Sequence, residues 1–194
     1  MKRSFWSGML VLAVLAGMGA GVYAMDADAN ANRFRELPVA HKFDFPVGAP
    51  DASGWFDAQS FGENFHLGSD WNRRGAAFED LGAPVYVVAD GVVSWSGDAG
   101  EGWGNVVRVV HHVRERHESV WVESVYAHLD ELNVAEGQRL DRGQRVGTVG
   151  DANGRYEPHL HFEIRSVPDM PLGPGYSIRH DGWLDPTAFI LAHR

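Results

Sequence analysis

Residues 159–165 read His-Leu-His-Phe-Glu-Ile-Arg, a run in which polar and apolar side chains alternate strictly. This alternation is typical of a β-strand with one apolar face, because successive side chains along a strand point to opposite sides. His159 and His161 then share a face, with their backbones about 6.5–7 Å apart. At that separation one imidazole can bind a metal while the other reaches a water molecule or substrate beside it. Taken alone, the run is equally compatible with a polar strand edge that faces solvent.

Short β-rich runs of the same character lie upstream and are separated by glycine-containing turns. The predicted strands are residues 85–88, 91–95, 105–110, 120–127, 145–149 and 160–165. Strands this short and closely spaced favour an all-β fold over a βαβ fold, so we predict a compact antiparallel β-sandwich or barrel-like core. One short helix is expected at residues 186–192, with Asp185 as its N-cap and Pro186 in its first turn.

Residues 1–24 have the pattern of a signal peptide that is removed by cleavage. Lys2 and Arg3 precede an apolar run at residues 9–16, and small residues follow it. A retained membrane anchor is the competing interpretation, because residues 5–24 are about long enough to span a bilayer.

The composition indicates one ordinary domain with extensions in a chain of 194 residues. Residues 25–55 are polar and punctuated by proline, so we expect an N-terminal arm there and the folded domain over residues 56–194. A formal net charge of -9, without a basic patch, argues against a nucleic-acid partner. The chain has no cysteine, which excludes thiol peptidases, disulfides and cysteine-ligated zinc.

Two further histidine-bearing fragments precede the run at 159–165. His66 and Asp70 are four residues apart, and an imidazole with a carboxylate suits Zn²⁺. With His161 they complete a His-Asp-His set. His128 ends a predicted strand, and it and His159 are surplus to a catalytic zinc site, which takes about three protein ligands and leaves one position open. Each fragment alone is compatible with ordinary surface or edge residues, but their combination favours a zinc hydrolase.

Three other histidines crowd one predicted hairpin: His111, His112 and His117. Charged residues of both signs surround them at positions 114–118. We therefore assign all three to a solvent-exposed loop, with a secondary role in binding as the alternative.

The motifs His-x-x-x-Asp, Tyr-x-His-Leu and His-x-His, in this order, resemble the LytM/lysostaphin-type zinc endopeptidases that cleave peptidoglycan peptides. The resemblance covers about residues 62–165, including segments at 82–86, 89–93, 102–107, 134–138 and 142–144. It implies one zinc ion per chain, with His66, Asp70 and His161 as ligands. It also implies that His128 and His159 are the catalytic pair. The family fold, an antiparallel β core with the site in a groove roofed by loops, agrees with the predicted strands.

The sequence departs from the family pattern at residues 72–81 and 151–158, and both segments are expected to border the groove and influence substrate preference. Arg155, Tyr156 and Arg165 are candidates to line it. Arginine can bind a stem-peptide carboxylate through two hydrogen bonds, and tyrosine can pack on the peptide's methyl groups.

The resemblance implies hydrolysis of the peptide cross-links or stem peptides of bacterial peptidoglycan. We expect a monomer, periplasmic or secreted, without stable membrane association after signal cleavage. Two alternatives stay open: a non-enzymatic regulator of cell-wall amidases that keeps this fold, and a general secreted metalloprotease. Zinc stoichiometry distinguishes the regulator from the enzyme. Digestion of casein, without release of peptides from sacculi, would identify the general protease.

Overall fold

The computed structural model describes residue 34 and residues 36–75, 79–100, 102–116 and 118–194. The chain divides into two compact units, Met1–Arg35 and Glu36–Arg194. The first unit lies almost wholly outside the described residues, and so does the predicted signal peptide at residues 1–24. The second unit is built from short strands, with one 3-10 turn at Glu63–Phe65 and one α-helix among its described residues.

The strands pair into one antiparallel sheet. In chain order they are β1 (Trp55–Gln59), β2 (Ser69–Arg73), β3 (Pro84–Tyr86), β4 (Gly91–Asp98), β5 (Asn105–Glu115), β6 (Glu118–Leu132), β7 (Arg139–Leu140), β8 (Arg145–Val149), β9 (Leu160–Arg165) and β10 (Trp183–Leu184). Strands β1, β2, β9, β6, β5, β4 and β7 lie side by side in that order, while β10 pairs with β9 and β8 pairs with β3 and β6. The antiparallel all-β fold predicted from the sequence is confirmed, and every predicted strand overlaps an observed one.

The apolar face of β9 lies in the main hydrophobic core. Leu160, Phe162 and Ile164 are fully buried there, as the alternation predicts. Burying side chains of this size contributes roughly 1.5–3 kcal/mol each. Residues 36–55 also supply core side chains, of which Phe43 is the most deeply buried aromatic. This stretch, expected to be an arm, thus lies within the compact unit that starts at Glu36.

The hairpin of β5 and β6 is longer than predicted, and it contains two of the three histidines assigned to an exposed loop. His111 is fully buried. Its Nδ1 lies 2.9 Å from the Asp90 carbonyl oxygen, and its Nε2 lies 2.8 Å from Ser124 Oγ. Burial lowers the pKa of His111 to about 4, so the ring is neutral. The loop prediction is therefore wrong for His111 and His112, because the flanking valines continue the strand period past the neighbouring charges. His117 lies outside the described residues.

The second face of β9 is polar but also buried. His161, Glu163 and Arg165 point to this face, and the side chains of Glu163 and Arg165 are fully buried. A loop at residues 166–182 covers them and accepts hydrogen bonds from the Arg165 guanidinium. The prediction that Arg165 lines a substrate groove is wrong, because the guanidinium binds this loop and Glu163 instead.

The predicted C-terminal helix is present as α1 (Pro186–Ala192). Asp185 caps it by accepting a hydrogen bond from the Ala188 backbone at 3.0 Å. Phe189 anchors the helix in the core, with its ring 5.1 Å from that of Phe43. In the part of the chain that the structure describes, no helix is long and apolar enough to cross a membrane.

Candidate metal centre and groove

The three side chains predicted as metal ligands converge. His161 Nδ1 lies 3.0 Å from His66 Nε2 and 2.8 Å from Asp70 Oδ1. His66 Nε2 and Asp70 Oδ1 are 3.3 Å apart. Two imidazole nitrogens and a carboxylate oxygen are a donor set that suits Zn²⁺, and three protein ligands leave a fourth position for water or substrate.

The sheet brings these residues together although they are distant in sequence. Asp70 in β2 and His161 in β9 are paired residues of adjacent strands. On the other side, Ala127 of β6 pairs with His161, which places the next residue, His128, beside the ligands. His66 enters the same space just before β2 begins.

Each of the two ligand imidazoles is fixed by a second partner. His66 Nδ1 lies 3.1 Å from the Gln59 carbonyl oxygen. A carbonyl only accepts hydrogen bonds, so Nδ1 carries the hydrogen and Nε2 presents its lone pair. His161 Nε2 lies 3.1 Å from Glu163 Oε1 and donates to it in the same way, leaving Nδ1 for a metal. In these tautomers, with His161 singly protonated, both rings would direct a lone pair at the same point.

The two remaining imidazoles are held by backbone carbonyls. His128 Nδ1 is 3.1 Å from the carbonyl oxygen of Trp103, and His159 Nδ1 is 2.8 Å from that of Glu157. Both rings therefore carry hydrogen on Nδ1, which leaves Nε2 as the proton-accepting nitrogen. The ring centroids lie 4.8 Å apart, and His159 Nε2 is 3.8 Å from Asp70 Oδ1. These two side chains thus form a pair next to the ligand set.

His128 occupies a β-bulge. Two residues of β6, Ala127 and His128, lie opposite the single residue Val106 of β5. His128 has a φ of 60°, a left-handed conformation that L-residues other than glycine adopt at a cost of order 1–3 kcal/mol. The Trp103 carbonyl also accepts the His128 backbone N–H at 3.0 Å, so it fixes backbone and ring together. A bulge re-aims a side chain, and here it turns the imidazole toward the ligands.

Charges within the site are strongly coupled. Burial lowers the pKa of His161, but hydrogen bonds to Asp70 and Glu163 outweigh it and raise the pKa to about 9. Burial raises the pKa of Asp70, yet hydrogen bonds with His161 and His66 hold it well below its usual range. Burial, together with the nearby positive charge of His161, lowers the pKa of His128 to about 3. Without metal, a proton on His161 therefore occupies the nitrogen that a metal would bind.

The five side chains line a groove of about 450 Å³. Two tyrosines border it: the Tyr156 ring lies 5.0 Å from that of His128, and the Tyr176 ring 5.1 Å from that of His66. Tyr156 was expected here, whereas the exposed Arg155 is not among the described residues that line the groove.

Gly68 lies against the back of the metal centre. A Cβ at this position would lie 2.8 Å from His161 Cε1 and 2.7 Å from the Phe162 carbonyl oxygen. Both distances are shorter than a carbon atom tolerates, so the close approach of the residue just before β2 to the His161 ring requires glycine.

Two features of the site were not predicted from the sequence. One is Glu163 as the partner of His161, although its place two residues further along the same strand face was a usable signal. The other is the groove wall at residues 173–176, Gly-Pro-Gly-Tyr. Proline and glycine mark this segment as a loop, but they do not indicate that it returns to the site.

Several known proteins are similar to this chain. The family model described as Peptidase family M23 matches residues 65–174. The chain is 40% identical over 89 residues to the cell division protein DipM of Caulobacter vibrioides, an alignment covering 46% of this chain and 14% of DipM. It is 33% identical over 103 residues to the murein hydrolase activator NlpD of Salmonella dublin, an alignment covering 53% of this chain and 25% of NlpD. Over 84 residues it is 34% identical to the peptidoglycan DD-endopeptidase ShyA of Vibrio cholerae, an alignment covering 43% of this chain and 18% of ShyA. The chain thus spans a quarter or less of these relatives.

Solved structures share the fold. The antimicrobial peptidase lysostaphin from Staphylococcus simulans superposes with a TM-score of 0.58 at 22% identity, covering 79% of this chain and 54% of lysostaphin. A putative peptidase M23 from Pseudomonas aeruginosa superposes with a TM-score of 0.55 at 24% identity, covering 91% of this chain and 61% of the Pseudomonas protein. Identities this low establish a common fold alone.

Proposed function

This chain belongs to peptidase family M23, and on that basis we propose that it is a zinc-dependent endopeptidase that hydrolyses peptide cross-links or stem peptides of bacterial peptidoglycan. One observation carries the proposal. His66, Asp70 and His161 direct three donor atoms at one point. The His128 ring lies 5.5 Å from that of His161, and His159 Nε2 lies 3.8 Å from Asp70 Oδ1.

The donor set fits zinc in number and kind. Among the described residues, His66, Asp70 and His161 form a group whose ligand atoms all lie within 4.8 Å of one another. A bound zinc ion supplies Lewis acidity, which polarises a peptide carbonyl and makes water nucleophilic near neutral pH. Hydrogen bonds from the two ligand imidazoles to Gln59 and Glu163 keep the lone pairs directed at the ion.

His128 and His159 supply proton transfer and charge stabilisation. With hydrogen fixed on Nδ1, each ring can accept a proton only at Nε2, the atom that is left for the groove. One of the pair takes a proton from the attacking water and delivers it to the leaving amine. The other, carrying on Nε2 a proton taken up from solvent, donates a hydrogen bond to the oxyanion of the tetrahedral intermediate.

The relatives and the groove support this substrate class. ShyA is named a peptidoglycan DD-endopeptidase and lysostaphin an antimicrobial peptidase. Tyr156 and Tyr176 border the groove, and their rings can pack on the methyl groups of a bound peptide. We place the protein in the bacterial periplasm or outside the cell, where peptidoglycan is accessible, and treat residues 1–24 as a cleaved signal peptide.

A second function is favoured by one relative. NlpD is named a murein hydrolase activator, so a chain with this fold could regulate an amidase without cleaving peptides itself. The ligand set and the histidine pair support the enzyme instead, because activation alone needs neither. A regulator would bind no zinc, or would bind it without releasing peptides.

Digestion of purified sacculi tests the proposal. Protein loaded with one equivalent of zinc should release peptides identifiable by mass spectrometry, and chelated protein should not until zinc is restored. Zinc-loaded protein that releases nothing but stimulates an amidase would establish the regulator. Efficient digestion of casein without release from sacculi would identify a general metalloprotease.

A further inference from the structure

Glu163 is a fully buried carboxylate whose two oxygens serve different partners. Oε1 accepts the hydrogen bond from His161 Nε2 at 3.1 Å. Oε2 accepts from Arg165 Nε at 2.7 Å and from the indole Nε1 of Trp183 at 3.0 Å. The carboxylate therefore has three donors around it and little freedom to rotate.

Arg165 is fixed in turn by the loop that covers this face of the sheet. Its guanidinium donates to the carbonyl oxygens of Pro171 at 3.1 Å and Leu172 at 2.9 Å, and its side chain is fully buried. The Trp183 ring lies over the guanidinium at 5.3 Å. The next residue after Leu172 begins the groove wall. Arg165 thus holds Glu163 and the base of the wall at the same time.

We propose that Glu163, fixed by Arg165 and Trp183, is a positioning residue that holds His161 in its zinc-binding orientation. The inference rests on the proposed zinc site. An imidazole that donates Nε2–H to a carboxylate has one tautomer and one ring orientation, and its Nδ1 becomes a stronger donor to a metal. Without that carboxylate, the His161 ring could present either nitrogen or tilt away from Asp70.

A neighbouring ion pair offers a matched control. Glu123 of β6 is the cross-strand partner of Arg165, is fully buried like Glu163, and accepts a hydrogen bond from Arg108 Nε at 3.1 Å. Its Oε1 accepts from Ser94 at 2.8 Å, and among the described residues its hydrogen bonds go to Ser94, Arg108 and the Asp169 backbone rather than to a proposed metal ligand. Replacing either glutamate removes the carboxylate partner of an arginine, which is fully buried for Glu163 and 12% exposed for Glu123, so both replacements destabilise the fold by breaking an ion pair.

Zinc affinity separates the two glutamates. We would measure it with chelator-buffered zinc at about pH 9.5, so that protons compete little with the metal in any variant. Glu163→Gln should weaken zinc binding by about 10–100-fold, the range for loss of a partner behind a metal-bound histidine. Glu123→Gln should bind zinc like the wild type, while its thermal midpoint should fall by about as much as that of Glu163→Gln.

A milder variant covers the case in which Glu163→Gln does not fold. Trp183→Phe removes one hydrogen bond to Glu163 and keeps a ring over Arg165, so it should weaken zinc binding by a smaller factor with little loss of stability.

Equal zinc affinity in Glu163→Gln and Glu123→Gln would overturn the inference and leave the proposed function intact. If Glu163→Gln cannot be purified folded, unchanged zinc affinity in Trp183→Phe overturns it likewise. A wild-type protein that binds no zinc would overturn the proposed function together with this inference.

Discussion

Replacing the two histidines of the His-x-His motif one at a time should separate metal binding from chemistry. His161 Nδ1 lies within 3.0 Å of both His66 Nε2 and Asp70 Oδ1. His159 Nε2 is 3.8 Å from Asp70 Oδ1, and His159 is not in the group whose ligand atoms lie within 4.8 Å of one another. His161→Ala should therefore lose zinc and activity together. His159→Ala should keep about one zinc per chain while activity collapses.

The expected loss in His159→Ala follows from its role. A positioned acid or base contributes about 10²–10⁴-fold, which corresponds to roughly 2.7–5.4 kcal/mol of transition-state stabilisation. Because the His159 side chain is 16% exposed and, among the described residues, its hydrogen bond goes from Nδ1 to a backbone carbonyl, its removal should leave the fold intact. Zinc content after desalting, measured by mass spectrometry, and kcat on a soluble cross-linked peptide are the assays. Metal lost in His159→Ala but kept in His161→Ala would refute the assignment within the motif.

Three other outcomes are expected. Since the pKa of His161 is raised from 6.5 to about 9, its contribution to apo-protein stability is full below about pH 6.5 and disappears as pH rises through 9. The thermal midpoint of chelated protein should fall across that window, and a flat profile would contradict it. Gly68→Ala places a methyl 2.8 Å from His161 Cε1, so it should cost about 1–3 kcal/mol and weaken zinc binding. Gly97→Ala, whose nearest contact is 3.2 Å, should change zinc affinity little, and equal effects would refute the steric argument. Tyr156→Ala removes a 42% exposed ring and should raise KM about 2–10-fold with zinc content unchanged; an unchanged KM would exclude it from substrate binding.

The strands were predictable because they depend on local pattern, whereas the assignment of His66, Asp70 and His161 as ligands came from the family resemblance. Alternation over Leu160–Arg165 determines which side chains share a face, and that face is where His161 lies. The order and spacing of the His66, His128 and His159 fragments then indicated a single site. The roles of these residues stay predictions, which the zinc content and activity of His161→Ala and His159→Ala test.

The burial of the polar face of β9 was not predictable from alternation. Period-two alternation predicts two different faces but does not say whether the polar one is exposed, which depends on a distant loop covering it. Arg165 was assigned to the groove for this reason, and the loop at residues 166–182 overturned that assignment. The prediction for His111 was wrong in the opposite direction. The charged residues nearby suggested an exposed loop, whereas the alternating valines indicated a buried strand.

The pairing of Asp70 with His161 ties the chemistry to the folding of the chain. These residues are 91 positions apart, so the site contains one of the most non-local contacts of the sheet. Contacts of such long range form only after most of the loop entropy between them has been lost, and they tend to come late in folding. Before β2 meets β9, the chain carries two incomplete sets of donors that cannot hold an ion. Under the proposed function, a nascent or partly unfolded molecule should therefore have no hydrolytic activity, and zinc bound to the complete site should stabilise the pairing of β2 with β9.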